Sequence, residues 1–168
     1  PGAGGIVGSE IVATAKPDGY TLLAVPISHA ANVSLAKLPF DPVKDLAPVI
    51  HLASAPNVVL VNPALPARTL GEFVKLAQQK PGQLSYASSG NGSSTHLAGE
   101  LFKMLAKVEL LHVPYKGGGP ALTDLLGGQV NMYIGSLPAS LPLLKTQKLR
   151  GLAVTSSARD RKSTRLNS

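Results

Sequence analysis

What most constrains this chain is an alternation. Short β-branched or apolar runs take turns with segments of helical periodicity, and Gly, Pro or Asn marks nearly every junction. The pattern predicts strands near 20–25, 47–53, 57–61, 84–87, 110–113, 130–134 and 149–155. Helices are expected over about 5–15, 69–80, 94–106, 119–127 and near 138–146. Strands that alternate with helices pair in parallel through crossovers, so the expected core is an open α/β sheet covered on both faces. Local chemistry supports individual boundaries. Thr69 and Glu72 have capping-box spacing, Pro81-Gly82 should stop that helix, Pro120 suits a first turn and Gly127-Gly128 should end it. Leu97, Leu101, Met104 and Leu105 recur at helical spacing and are expected to form the buried stripe of their helix.

Composition narrows the class of protein. A chain of 168 residues with 44% hydrophobic content can bury a proper core. Its longest apolar stretches, such as Val58–Val61, fall far short of the roughly 20 residues a membrane-spanning helix needs. No membrane insertion is expected. The opening Pro1-Gly2-Ala3-Gly4-Gly5 lacks the basic and apolar regions of a signal peptide, so an export signal would lie upstream of Pro1. The net charge of +7 hints at nucleic acid, but residues 159–168 alone supply +3 of it. The other lysines are scattered, there is no Trp, and aromatics are only 4%, which leaves little for a base-stacking platform. No nucleic-acid partner is expected. The absence of cysteine excludes disulfides, thiolate metal sites and a cysteine nucleophile. The ending, Arg159 to Ser168, is charged, lacks apolar periodicity and follows directly on a strand, so residues 157–168 read as a non-native or disordered tail resembling a translated cloning adaptor.

Open α/β sheets bind ligands at the carboxyl ends of strands, where loops enter helix N-termini. Two segments have that form. After the strand ending at Ala87 come Ser88, Ser89, Gly90, Asn91, Gly92, Ser93, Ser94, Thr95 and His96, leading into a helix. Small residues admit a ligand close to backbone N–H groups, hydroxyls add donors, and the helix dipole favours negative charge there. The bland alternative is a glycine-rich turn with an ordinary serine cap. The second segment is Tyr115, Lys116, Gly117, Gly118 and Gly119 before Pro120, opening the next helix. Two such loops in successive strand–helix units should converge on one crevice.

Machinery for catalysis is not visible. No serine sits in a G-x-S-x-G elbow, and Gly2 to Gly8 spells G-x-G-x-x-x-G rather than the dinucleotide fingerprint. His29, His51, His96 and His112 lack metal-ligand spacing, and the nine acidic residues form no evident pair. His51 and His112 fall in expected strands and read as ordinary structural histidines. No catalytic residue, metal or cofactor is expected.

At seven segments the chain resembles the Bug/TctC receptors, the substrate-binding proteins of tripartite tricarboxylate transporters. The matching pieces are residues 1–13 (PGAGGIVGSEIVA), 16–23 (KPDGYTLL), 38–49 (LPFDPVKDLAPV), 56–70 (PNVVLVNPALPARTL), 86–102 (YASSGNGSSTHLAGELF), 113–130 (VPYKGGGPALTDLLGGQV) and 137–156 (LPASLPLLKTQKLRGLAVTS). The resemblance implies a two-lobed, periplasmic-binding-protein-like α/β fold with open, mainly parallel sheets. Residues 1–49 would form part of a first lobe and 50–156 a nearly complete second lobe. It also implies a periplasmic receptor, acting as a monomer, that carries a small mono-, di- or tricarboxylate to membrane transporter subunits. By the same resemblance the ligand is touched by Ser28 and His29, by Ser88 to Thr95 and by Tyr115 to Gly118. The family's first strand and glycine-rich loop would precede Pro1. Gly135-Ser136 departs from the acidic or amide residue many members carry before Leu-Pro, which argues against amine recognition. The rival reading from another class is a nucleotide-dependent or hydrolytic enzyme on the same α/β scaffold.

Overall fold

A computed structural model describes residues 5–156. All strands among the described residues lie within 57–154: β1 (Asn57–Val61), β2 (Ser85–Ser88), β3 (Leu111–Pro114), β4 (Met132–Ser136) and β5 (Arg150–Val154). Helices α3 (Leu70–Gln79), α4 (Ser94–Ala106), α5 (Gly118–Leu126) and α6 (Leu137–Lys145) fill the intervals, while α1 (Ile6–Ala13) and α2 (Ser28–Leu35) precede the sheet. The ending at 157–168 and the first glycines of the opening motif lie outside the described residues.

The strands form one sheet in the order β3-β2-β4-β1-β5. It is covered on both faces, as expected, because its strands bury alternate residues on opposite sides. Val59, Val61, Tyr86, Met132 and Ile134 pack with Phe73 and Ala77 of α3 on one face. Val58, Leu60, Ala87 and Tyr133 pack with Ala121 and Leu125 of α5 and Leu144 of α6 on the other. Each of the larger side chains withdrawn in this way contributes about 1.5–3 kcal/mol.

The pairing corrects one expectation. β2 runs parallel to β3 and to β4, but β1 runs antiparallel to both β4 and β5. The sheet is therefore mixed, with β1 reversed between two neighbours. A strand buried on both faces has the same apolar pattern whichever way it points, so periodicity carries no information about direction.

Two expected strands do not form. Residues 20–25 and 47–53 are irregular, and Tyr20, Leu22, Val25, Val49, Ile50 and Leu52 are exposed. A strand requires a neighbour for its N–H and C=O groups, and no described strand pairs with either run. His51 accordingly sits outside any strand, at 3.2 Å from the Ser54 hydroxyl. Conversely, residues 28–35 form the unanticipated α2, which lacks a side-chain cap and so gave no start signal.

The cap of α3 forms as its spacing predicts. Thr69 Oγ1 accepts from Glu72 N–H at 3.2 Å, while Glu72 reaches back to the N–H of Arg68, one residue before the cap, at 2.7 Å. Helix α4 matches its expected bounds but buries the other face. Leu101, Met104 and Leu105 are exposed, whereas Thr95 and Gly99 are buried and Ala98, Phe102 and Ala106 pack against the core. Small residues on that side let the helix settle so close that the Tyr86 ring fills the space beside Gly99. A Cβ on Gly99 would overlap three ring atoms.

Candidate functional site

The carboxyl end of β2 is where the predicted loops meet. Ser88, fully buried, closes the strand. The turn beyond it depends on Gly90 at φ 127° and Gly92 at φ 73°, conformations that a side chain resists. Gly90 is also needed for space, since a Cβ there would stand 3.2 Å from the Tyr115 carbonyl oxygen. That contact, with Tyr115 N–H donating to the Ser88 carbonyl at 3.0 Å, joins the two loops.

The hydroxyls in this turn do two different jobs. Ser93 caps α4, accepting from His96 N–H at 3.3 Å and donating to the Gly90 carbonyl at 2.6 Å. Thr95 Oγ1 is a hub: it accepts from Ser89 N–H at 2.8 Å and lies 2.9 Å from Ser89 Oγ and 3.0 Å from Ser93 Oγ. Those bonds organise the loop from within. The N–H groups of Ser94 and Thr95, in the first turn of α4, have no partner among the described residues, as helix geometry dictates. They and the dipole behind them make this end receptive to an anion.

The second loop presents a similar end on the opposite face of the sheet. Gly117, at φ 115°, precedes α5 and no side chain caps it, so the N–H groups of Gly118 and Gly119 are open. Pro120 follows as the third helical residue, where its missing N–H costs nothing. Tyr115 donates to Asp124 Oδ2 at 2.7 Å, and burial together with that carboxylate raises its phenol to about 12. Lys116 is exposed.

Ser28 and His29 open α2 rather than following a strand. Ser28 is 1% exposed, and His29 lies 3.3 Å from Ser9 Oγ and stacks on Phe40. Asn32, buried on the same helix, has its Oδ1 3.4 Å from where a Cβ on Gly92 would stand, so α2 closes over the β2–α4 loop. Asn32 carries no local signal, because residues 28–35 lack a capped helix start. Asn91 is exposed.

His112 lies in β3 as a hydrogen-bonded structural histidine, as expected, but its place beside the β2–α4 loop was not anticipated. Its Nε2 lies 2.7 Å from the Ser88 hydroxyl, and its ring stacks between Tyr86 (4.8 Å) and His96 (4.3 Å). The signal was available in the parallel register, which sets His112 beside Tyr86. His96 Nδ1 accepts from Gly92 N–H at 3.1 Å, so its neutral form carries the proton on Nε2. At the far end of the column Tyr86 donates to Glu100 at 2.5 Å, and Lys103 donates to the same carboxylate at 3.0 and 3.1 Å. Burial pushes the Glu100 carboxyl up, but the bonds from Tyr86 and Lys103 outweigh it and hold the group below its usual range.

Burial, and then the charge of His96, lower the pKa of His112 from its ordinary 6.5, with Lys103 adding to the effect and Glu100 opposing it. The unfolded chain therefore takes this proton first. Stability is complete above about pH 6.5 and is lost as pH falls through the folded value. Thermal melts should show a lower Tm at pH 5 than at pH 7.5, and His112→Gln, which can still bond Ser88, should reduce the difference. An unchanged difference in that variant would remove His112 as its source.

Among the described residues no cluster of three or more His, Asp or Glu could hold a metal, and no helix is long and apolar enough to cross a membrane. An open α/β sheet with one reversed strand and two helix starts at the carboxyl edge of its parallel strands is the architecture of the periplasmic-binding-protein class. The chain belongs to the tripartite tricarboxylate transporter receptor family, whose model matches residues 1–167. That match runs through most of the charged ending set apart above as a tail. The family is one of solute receptors, not enzymes.

Similar proteins include BugT of Bordetella pertussis, 38% identical over 94% of this chain and 49% of its own length. Among solved structures, a Rhodopseudomonas palustris protein with adipate is 39% identical, with a TM-score of 0.84 over 92% of this chain and 52% of that one. MatC from the same organism, with bound malate, is 33% identical, with a TM-score of 0.84 over 95% of this chain and 55% of that one. The chain spans about half the length of the curated relatives it matches.

Proposed function

We propose that this chain is the ligand-gripping part of a periplasmic receptor for a small carboxylate, which passes its solute to membrane transporter subunits. The observation that carries the reading is the pair of open helix starts, Ser94-Thr95 and Gly118-Gly119, on loops that touch at Gly90 and Tyr115. Backbone N–H groups aimed along a helix dipole recognise carboxylates without a permanent cation. The adipate and malate bound to similar proteins fit the same chemistry. Ser28, His29, Ser88 to His96 and Tyr115 to Gly118 are the proposed ligand-contacting set. Within it, the hydroxyls of Ser88, Ser93 and Thr95 act by shaping the loop.

In this reading residues 50–156 form the second lobe, and 1–49 belong to a first lobe that closes against it. Val7, Ile11, Leu22, Val33 and Val43 are all exposed on the earlier segment, a surface that the remainder of such a lobe would cover. The protein works as a monomer, and its export signal lies upstream of Pro1. Gly135 places no acid near the crevice, so an unmodified carboxylate should be preferred to an amino acid.

Amide NMR titration provides the test, because it registers even millimolar binding. Malate and aspartate share a carbon skeleton and differ in hydroxyl against ammonium. Malate and adipate should shift the amides of Ser94, Thr95 and Gly118, and aspartate should bind more weakly. Tighter binding of aspartate, or no movement at these amides with any of the three, would sink the reading.

A further inference from the structure

One polar group at this edge remains without a role. Tyr133 is the second residue of β4, beside Ala87 of β2, and is 5% exposed. Its ring extends along the strand over Gly135, where any Cβ would overlap it, so the glycine is what gives the ring its room. The hydroxyl ends 3.0 Å from where a Cβ on Gly118 would stand, at the first residue of α5. No described residue hydrogen-bonds that oxygen. Because no buried side-chain oxygen or nitrogen among the described residues lacks a partner, the hydroxyl tip must keep contact with solvent. A ring otherwise sealed in the core thus delivers one unpartnered donor to an uncapped helix start.

We infer that Tyr133 and the open N–H groups of Gly118 and Gly119 form a second anion subsite, which takes the distal carboxylate of a dicarboxylate held at Ser94-Thr95. The inference rests on the receptor reading above and adds what that reading lacks, a residue that selects for the second carboxylate. A monocarboxylate satisfies the α4 end alone. Burial raises the phenol's pKa, so it is a neutral donor at neutral pH and offers a carboxylate a proton without competing charge. The two ends flank the carboxyl terminus of β2 from opposite faces, since Ser88 lies on the α4 side and Ala87 packs with α5 on the other. A ligand spanning them straddles the sheet edge where the loops touch. Gly135 is part of the same device: an aspartate there would displace the ring and replace a donor with an acceptor.

Tyr133→Phe keeps the ring and removes the donor. Titrations of adipate and of its monocarboxylate counterpart hexanoate should be followed at the Ser94 and Thr95 amides in both forms of the chain. The variant should lose about ten-fold in adipate affinity, as for a hydrogen bond to a charged group, with hexanoate unchanged. Equal losses for the two acids would reduce Tyr133 to a structural role and overturn the inference. Unchanged adipate affinity would overturn it as well. If neither acid moves Ser94 and Thr95 in the parent chain, the receptor reading itself has failed. Thermal melts of the variant separate loss of fold from loss of the donor, and Gly118→Ala, which crowds the hydroxyl without touching the α4 end, should reproduce the selective loss.

Discussion

Replacing Gly99 by alanine should lower stability by about 3 kcal/mol, the upper end of what overpacking a filled core usually costs. The added methyl would occupy space held by three atoms of the Tyr86 ring. The ring has nowhere to go: its face stacks on His112 at 4.8 Å and its hydroxyl is tied to Glu100 at 2.5 Å. α4 must move off the sheet instead, and with it the first turn that carries Ser94 and Thr95. Met104→Gln on the same helix should change stability by no more than about 0.5 kcal/mol, because Met104 is 67% exposed. Chemical denaturation of both variants checks the pair. The reverse ranking would mean that the long apolar side chains face the core after all.

That helix shows what the sequence could and could not reveal. Its start and end were legible, because Ser93 is a cap and Lys107 ends the periodic run. Which face is buried was not. Residues 97, 101, 104 and 105 recur at helical spacing, but so do 95, 98, 99, 102 and 106. Hydrophobicity favours the first set, and close approach to Tyr86 selects the second, a tertiary fact with no local signature. The same distinction separates β1 from residues 20–25. Both are apolar and extended in composition, but only β1 has neighbours for its backbone. The loop at 88–95 was legible as a glycine-rich turn opening a helix because its chemistry is local: glycines at positive φ, a serine cap and a helix start. The nearness of His112, Asn32 and Tyr133 to these loops was not, since each arrives there through a pairing or packing contact distant in sequence.

Thr95→Val should cost about 1–3 kcal/mol of stability and, under the proposed receptor function, most of the carboxylate affinity. The volume is nearly unchanged, so the effect isolates the hydroxyl. That oxygen satisfies the half-buried N–H of Ser89 at 2.8 Å and anchors two serine hydroxyls. Without it the partly buried N–H is left unpaired, which costs part of the desolvation of that group beyond the modest net value of one bond. The loop must then open to solvate Ser89, and opening pulls Gly90 from its contact with Tyr115 and separates the two helix starts. Ser94→Ala provides the contrast, because the Ser94 hydroxyl has no partner within the loop. It should leave Tm unchanged within error and weaken malate binding only by the loss of one direct hydrogen bond. Thermal melts and malate titrations of both variants decide the matter. If Thr95→Val melts like the parent chain and loses no more affinity than Ser94→Ala, the hydroxyl contacts the ligand directly instead of holding the loop.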